Sequence, residues 1–423
     1  MEKPASVTLA PVRGKQAQNP VHSRPSGPRQ VARTRPYRRA GSDAAQTPRA
    51  TDGAAAKGLV CLTPPQKSDL PCDGRDSMVS ELASWLHRNE WPVDMLPSSN
   101  RSRNATPVAA GQRAEFRKNK RWSDADFLAA RTPEVLGMGF RLKRLDPWVV
   151  HAFEITEAAS AQVAEAPYVL SLEHVPRSDT FTGHPFAFNE FETALKRAGG
   201  VTVSSRIAQK NLLDTYGYES TVVTEGIETE HLASLPDRRS RPLIMCPLIN
   251  VALSDLKMLA CSFLRVEASV KGVQLALVGH LDPLVQGQLM QIIPSDLRGQ
   301  VLVIDHADRR RFHALLARAF VTCMPSICES GNRALVESLA VGTAVICADG
   351  GAAAEVVDED AIAGGAGLRF APGDETACAS GILRLMERAG SDDVVSGCRA
   401  RASLYDWSFV GPALVDLYRQ AAG

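Results

Sequence analysis

The chain has 423 residues and a mass of 45.5 kDa, which is more than one ordinary hydrophobic core holds, so we expect at least two domains. Hydrophobic residues make up 44% and charged residues 22%, and no apolar run reaches the ~20 residues that span a bilayer, which argues against an integral membrane protein. The nine cysteines include no Cys-x-x-Cys pair, which argues against structural zinc and a disulfide framework. The start, Met1–Pro4, lacks the apolar stretch of a secretory signal peptide, so we expect a cytoplasmic protein.

The first 57 residues differ in composition from the rest. They carry eleven Lys or Arg against three Asp or Glu, a balance of +8 that leaves −7 for the remainder. They also hold seven prolines and few aliphatic side chains larger than Ala, too little apolar surface to offset the entropy of ordering. We therefore predict a disordered basic tail over 1–57. Its cluster Arg33–Arg39 either stays solvated or makes a peripheral contact with an anionic membrane surface, and we expect no nucleic-acid partner.

A first series of strands and helices begins after this tail. Gly58–Thr63 is a short apolar run, Ser77–Trp91 has apolar residues at helical spacing, and Pro92–Leu96 is a second apolar run. This order predicts a β-α-β unit with parallel strands. The series continues with predicted strands at 148–152, 168–172, 200–204 and 221–224, and helices at 158–166, 188–197 and 206–216.

A second series follows the segment Pro236–Pro242, which has no apolar side chain other than its prolines and suits an exposed hinge. Its predicted strands are 243–246, 274–278, 301–304, 320–324 and 344–348, and its predicted helices are 255–268, 309–319, 333–340, 376–388 and 410–421. We therefore predict two tandem doubly wound α/β domains that face a cleft, with ligands at the carboxyl ends of the strands.

The segment that carries chemistry lies in the second series. A buried strand ends at Pro325, a polar loop follows, and a helix opens near Asn332. Gly331 lets a ligand approach the backbone closely, and the unpaired N–H groups of a helix start attract an anion such as a diphosphate. Glu329 and Glu337 are eight residues apart, and carboxylates accept hydrogen bonds from vicinal hydroxyls, so one could hold a sugar and the other a ribose. The alternative is that both are solvated charges.

Further motifs accompany this segment in a fixed order. They are Gly226–Glu230, Val278–His280, Pro325-Ser326, Glu329-x7-Glu337, Gly342-Thr343, Gly350-Gly351, Glu355, Gly367–Asp374 and Asp406–Ser408. The motifs of the second series resemble the donor-binding half of a retaining GT-B glycosyltransferase, and more narrowly of glycosyltransferase family four. With the motifs before and after them, the resemblance to this family extends over about residues 58–423.

The resemblance implies a GT-B fold of two Rossmann-like domains. Residues 58–235 would form the acceptor domain, 243–405 the donor domain, and 406–423 a helix that crosses back onto the first. It also implies transfer of a sugar from a nucleoside diphosphate sugar, such as UDP-GlcNAc or UDP-glucose, to a hydroxyl of a small molecule or glycan, with retention and without a metal or cofactor. A carbohydrate or antibiotic biosynthetic role fits this activity. A nucleotide-sugar epimerase of the same fold and a non-catalytic sugar-nucleotide-binding scaffold remain alternatives.

The resemblance also assigns roles to single residues. The catalytic candidates are Glu329 and His174, although His174 could equally be a structural loop residue. The donor-binding candidates are Gly331, Asn332, Arg333, Ala334, Glu337 and Lys257. The acceptor-side candidates are Gly74, Glu173 and His151, of which His151 fits packing or support of a neighbouring residue better than contact with the acceptor. Ile249 and Ser254 stand where the family carries an Arg and a Lys that clamp the diphosphate, and we expect Arg333 or Lys257 to replace that charge. The Asp-x-Asp patterns at 124–126 and 358–360 do not follow directly after an apolar strand, so we expect neither of them to bind a metal.

Overall fold

The computed structural model describes residues 59–63, 74–97, 124–177, 179–237, 239–248, 251–305, 307–327, 333–357 and 365–423. The predicted basic tail and the Asp358–Asp360 pattern lie outside these residues, as do the site candidates Glu329, Gly331 and Asn332.

The first sheet has six parallel strands in the order β2-β1-β3-β4-β5-β6. The strands are β1 (Leu59–Thr63), β2 (Val93–Pro97), β3 (Val149–Ala152), β4 (Tyr168–Leu172), β5 (Gly200–Val203) and β6 (Thr221–Val222). The helices that connect them are α1 (Gly74–Arg88), α2 (Asp124–Leu145), α3 (Ile155–Val163), α4 (Pro185–Arg197) and α5 (Arg206–Tyr216). The parallel strands β3 and β4 are largely buried, so they are short, mostly apolar runs rather than alternating patterns.

The second sheet also has six parallel strands, in the order β12-β11-β10-β7-β8-β9. The strands are β7 (Leu243–Pro247), β8 (Gln274–Val278), β9 (Val301–Ile304), β10 (Val321–Met324), β11 (Ala344–Ala348) and β12 (Gly367–Phe370). Helix α6 (Thr229–Ala233) lies just before the hinge. The helices after the hinge are α7 (Leu253–Ser269), α8 (Pro283–Ile292), α9 (Arg309–Leu316), α10 (Arg333–Val341), α11 (Ala352–Val356), α12 (Glu375–Glu387) and α13 (Asp392–Ala402).

The last helix, α14 (Trp407–Ala422), returns to the first sheet. Its buried face, which includes Leu414 and Tyr418, packs in one cluster with Trp85 of α1 and Val149 of β3. The crossing is fixed at its start, where Asp406 accepts hydrogen bonds from the backbone N–H (3.1 Å) and hydroxyl (2.7 Å) of Thr229. The chain therefore passes between the two sheets twice, and the two passages are bonded to each other.

The fold predicted from the sequence is confirmed. Strands β4, β8, β9 and β11 and helix α5 have the predicted bounds, and most other ends differ by one to three residues. Helices α6, α8, α11 and α13 were not predicted, and neither was the longer helix α2. Its solvent side carries apolar Leu136 and Phe140 beside charged residues, so its hydrophobic residues do not form a single stripe. Within the described residues, no helix combines the length and the hydropathy that crossing a bilayer requires.

Candidate active site

The strand order of the second sheet reverses between β10 and β7. The connections that leave these two neighbouring strands therefore run to opposite faces of the sheet, and a crevice opens at their carboxyl ends. Strand β7 ends at Pro247 and β10 at Met324. The loops that follow contain Ile249 and the segment 328–332, which lie outside the described residues, and each loop leads into a helix.

Two helix N-termini meet at this crevice. Helix α7 begins at Leu253 after Ala252, which provides no side-chain cap, and α10 begins at Arg333. The Ser326 hydroxyl, in the loop after β10, donates to Asp255 Oδ2 in the first turn of α7 at 2.6 Å. Since the first turns of a helix present unpaired N–H groups, two such ends side by side favour a bound anion.

The cations expected at this crevice are placed differently. Lys257 is exposed to solvent in α7. The side chain of Arg333 is only 5% exposed, and its guanidinium is bonded within the protein. Its Nε donates to Glu337 Oε1 at 2.8 Å, Nη1 donates to the carbonyl of Gly226 at 2.9 Å, and Nη2 donates to Glu81.

Glu337 lies one turn after Arg333 and is 1% exposed. The guanidinium of Arg309 on α9 donates to the same oxygen, Oε1. His313, also on α9, places Nε2 3.7 Å from Oε2, which is beyond hydrogen-bonding distance. Burial by itself would raise the pKa of Glu337, but Arg333, His313 and Arg309 together lower it to about 2. The carboxylate is therefore ionised and acts only as an acceptor.

The neighbouring candidate Ala334 is 3% exposed and packs in the core of the second domain. Only its backbone N–H, in the first turn of α10, can belong to an anion site. In the described part of the chain, no group of three or more His, Cys, Asp or Glu side chains is arranged to hold a metal.

On the first domain, Glu173 and His174 follow the carboxyl end of β4. His174 Nε2 lies 3.6 Å from Glu173 Oε1, and the two side chains are 19% and 36% exposed. This pair occupies the predicted edge of the sheet and is open to solvent. Gly74 begins α1, while the loop before it lies outside the described residues.

His151 is placed in the core and not at a surface. It is 1% exposed, Nδ1 is 2.7 Å from the Tyr418 hydroxyl, and Nε2 is 2.6 Å from Ser171 Oγ. Burial lowers the pKa of His151 to about 3, so its ring is neutral. Of the two roles considered for His151, the structure gives it packing: it joins α14 to the sheet, and both of its nitrogens are engaged by protein groups.

Sequence reasoning did not find three residues of this site, which are Glu81, Arg309 and His313. Glu81 had a detectable signal, because it lies four residues before Trp85 and three after Met78, on the apolar side of α1. Arg309 and His313 are four residues apart on α9 and so share one face of that helix. Nothing in the sequence indicated that this face meets α10.

A second contact joins the two domains away from this site. The carboxylate of Glu355 on α11 accepts hydrogen bonds from the backbone N–H groups of Arg206 (3.0 Å) and Ile207 (2.9 Å). It thereby caps the N-terminus of α5 in the first domain, together with Ser205. A carboxylate at this end of a helix is favourable because the helix dipole is positive there.

Comparison with known proteins agrees with this geometry. The family description "Glycosyl transferases group 1" matches residues 248–388. The chain is 23% identical over 402 residues to a phosphatidyl-myo-inositol mannosyltransferase of Mycolicibacterium smegmatis, which covers 86% of this chain and 94% of that protein.

Two solved structures have the same fold. A glycosyltransferase from Rickettsia africae superposes with a TM-score of 0.64 at 15% identity, covering 86% of this chain and 99% of that one. Anabaena Alr3699/HepE, solved in complex with UDP and glucose, superposes with a TM-score of 0.58 at 16% identity, covering 86% and 98%.

Proposed function

We propose that this chain, a glycosyltransferase of the GT-B fold with a group 1 glycosyl transferase domain, transfers a hexosyl residue from a nucleoside diphosphate sugar to a hydroxyl acceptor. The observation that carries the proposal is the buried, ionised carboxylate of Glu337 in α10. This helix begins at the crevice of the second sheet, and Glu337 stands eight residues after Glu329, as the resemblance expects.

In the proposal, the diphosphate lies on the N-termini of α7 and α10, with Lys257 as the accessible cation. The ribose hydroxyls donate to Glu337, and Glu329 holds the sugar. Because Glu337 is closed off from solvent, a ribose hydroxyl must displace a side chain that now covers it. Among its three polar neighbours, Arg309 is the most exposed, at 27%, and so is the one most easily moved.

The bond that breaks joins the anomeric carbon to the diphosphate, which leaves with the electron pair. The new bond forms between that carbon and the acceptor oxygen on the same face, with retention, and the acceptor proton passes to a diphosphate oxygen. Helix N–H groups and Lys257 stabilise the departing anion, so we propose that no metal is needed. His174 and Glu173, at the end of β4, contact the acceptor or the donor sugar.

The donor is proposed to be UDP-linked, with glucose or N-acetylglucosamine as the sugar. This is supported by the Anabaena structure, which was solved with UDP and glucose. The mycobacterial relative is named a mannosyltransferase, which makes mannose a further sugar to test. We propose that the reaction takes place in the cytoplasm.

The acceptor side of the proposal includes a peripheral contact with a membrane through α2. Leu136 and Phe140 are 40% and 61% exposed. At ~100° per residue they lie opposite Met138 and Leu142, which are buried at 3% and 0% exposure. Helix α2 therefore presents apolar side chains on its outer face as well as on its packed face.

Two cations lie at the end of this helix, and the sequence before it is basic. Lys143 and Arg144 are exposed on the last turn of α2, and residues 98–123, which lead into the helix, carry seven Lys or Arg against one Glu. Apolar side chains among cations suit a bilayer that contains anionic lipids. The relative named for phosphatidyl-myo-inositol supports a lipid acceptor.

Sedimentation with vesicles tests this contact. We expect the full chain to bind vesicles that contain phosphatidylglycerol and not vesicles of phosphatidylcholine alone, and the double variant Leu136→Ser/Phe140→Ser to lose most of the binding. Leu284→Ser is the matched control, since Leu284 is 78% exposed in the second domain. Equal binding by the double variant and wild type would exclude α2 as the docking surface.

Turnover of a panel of donors tests the reaction itself. Wild-type protein is incubated with UDP-glucose, UDP-GlcNAc and GDP-mannose, with and without sugar and lipid acceptors, and released nucleoside diphosphate is measured. We expect acceptor-dependent release of nucleoside diphosphate. Its kcat should fall about 100-fold in Glu329→Gln and stay unchanged in Glu387→Gln, which alters an exposed residue of α12.

Interconversion of the donor without acceptor would indicate an epimerase, and binding without turnover would indicate a scaffold. Unchanged turnover in Glu329→Gln would remove the site assignment.

A further inference from the structure

Arg333 is bonded at once to three different parts of the molecule. Its guanidinium donates to Glu337 on its own helix α10, to the carbonyl of Gly226 in the interdomain segment, and to Glu81 on α1 of the first domain. Since the residue is only 5% exposed, solvent screens these contacts little. A change in the position of one domain relative to the other must therefore alter at least one of them.

Glu81 is itself fixed in place. Its Oε1 accepts from the Ser77 hydroxyl at 3.0 Å, and its Oε2 accepts from Trp407 Nε1 at 3.3 Å, at the start of α14. Trp407 also donates its backbone N–H to the carbonyl of Ile227 at 3.2 Å. Glu81 is thus held where the two interdomain passages meet the first domain, which makes it a firm anchor for the guanidinium.

Arg333 donates to Glu337 through a single nitrogen and to a single oxygen. An arginine facing a carboxylate prefers a paired geometry in which two N–H groups meet both oxygens. Here only Nε reaches Glu337, at Oε1, while the two Nη groups are drawn to Gly226 and Glu81. Arg309 donates to Oε1 as well. Among the described residues, none donates a hydrogen bond to Glu337 Oε2, and His313 Nε2 faces this oxygen at 3.7 Å.

We infer that Arg333 is a positioning residue for donor binding, and that Glu81 holds its guanidinium so that Oε2 of Glu337 carries no bond from Arg333 and can accept one from a hydroxyl of the donor once Arg309 is displaced. This inference rests on the proposed function, because it takes Glu337 as the group that binds the nucleoside. Glu81 belongs to the acceptor domain and does not contact the donor, but through Arg333 it influences the affinity for the donor.

The sign of the effect follows from the geometry. Without the charge of Glu81, the guanidinium turns onto both oxygens of Glu337, and the paired geometry occupies Oε2. Nucleotide binding should then weaken, although Glu337 and Arg333 are both present. A contact that served stability alone would have no such effect on affinity.

Calorimetric binding of UDP, GDP and ADP to the full chain is the test. For the nucleotide that binds wild type most tightly, we expect Glu81→Gln to raise the Kd five- to tenfold and Glu81→Asp, which keeps the charge, to restore most of the affinity. In turnover assays the donor KM should rise by the same factor while the acceptor KM is unchanged. This division between the two substrates distinguishes positioning from general loosening.

Arg88→Gln is the matched control. Arg88 lies on the same helix and pairs with Glu228 of the interdomain segment at 2.9 Å, but this pair is exposed and does not contact Glu337. We expect the Arg88→Gln variant to bind the nucleotide with the same Kd as wild type. An unchanged Kd in Glu81→Gln, or an equal loss in Arg88→Gln, would overturn the inference while leaving the proposed function intact. If wild type binds none of the three nucleotides, the proposed function fails and the inference falls with it.

Discussion

Each domain contains a buried polar network, and these two networks differ in chemical form. In the first domain a neutral chain runs from Tyr418 through His151 and Ser171 to Thr202, with neighbouring atoms 2.6–2.7 Å apart. In the second domain the network at the crevice is charged: Glu337 lies between Arg333 and Arg309, at 1% exposure.

This difference indicates what each network does. A neutral chain in which each member has a partner stabilises the fold at little desolvation cost. Buried ions cost several kcal/mol to desolvate and seldom stabilise more than apolar residues would. A charged cluster beside a crevice is therefore better explained by binding than by stability, and the neutral chain by attachment of α14 to its sheet.

The largest effect that tests this comparison is expected from Glu337→Gln. The variant leaves the guanidinium of Arg309 without its carboxylate and should lower the free energy of unfolding by about 3 kcal/mol. In wild type the pKa of Glu337 lies at about 2, below the usual 4.5. Its ionisation therefore stabilises the fold above about pH 4.5, and this contribution is lost as the pH falls toward 2.

Urea unfolding between pH 7 and pH 3 measures both effects. The wild type should lose stability more steeply below pH 4.5 than the variant, which has no carboxylate at this position. Parallel pH profiles for the two proteins would show that the buried charge contributes nothing to acid sensitivity.

The course of the chain around this site could be predicted from the sequence, but the charged network could not. Strand β10 and helix α10 follow from a local apolar run, a polar loop and helical spacing. The partners of the network are distant in sequence: Arg309 is 28 residues from Glu337, and Glu81 is 252 residues from Arg333. Only the packing of α9 and α1 against α10 brings them together, and a single sequence does not contain that arrangement.

The same limit explains His151. Its position at the end of a strand is compatible with a cleft, because polar side chains there often face one. The return of α14 brings Tyr418 against the ring, 267 residues away in sequence, and turns that position into core. The crossing helix was predicted, but which of its residues would face β3 was not.

A smaller effect, confined to the neutral chain, is expected from His151→Gln. The amide cannot bridge Tyr418 and Ser171 with the geometry of the ring, so the variant should be about 2 kcal/mol less stable at pH 7. Burial holds the pKa of His151 at about 3 instead of 6.5, so this neutral ring stabilises wild type above pH 6.5. That contribution is lost as the pH falls toward 3, with about 2 kcal/mol gone by pH 5.

Thermal unfolding at pH 7 and pH 5 checks this. Wild type should lose more stability over this interval than His151→Gln, and His87→Gln, which removes an exposed imidazole from α1, should behave as wild type. Glu337 stays ionised over the same interval, so the two networks respond to acid in different ranges. If His151→Gln retains the full wild-type loss, another group is responsible for it.

The smallest effect is expected from Gly226→Ala, at the segment that joins the domains. A Cβ at this position would collide with the indole of Trp407, and the carbonyl of the same residue accepts from Arg333. Overpacking of this kind costs about 1–2 kcal/mol. Because the displaced carbonyl belongs to the charged network, nucleotide affinity should fall together with stability, whereas the pH dependence that His151 confers should persist.

Gly287→Ala is the control, since nothing lies within 4 Å of a Cβ there and Ala favours the helix. A Gly226→Ala variant with lower stability and unchanged nucleotide binding would separate the hinge from the site and confine the charged network to the second domain.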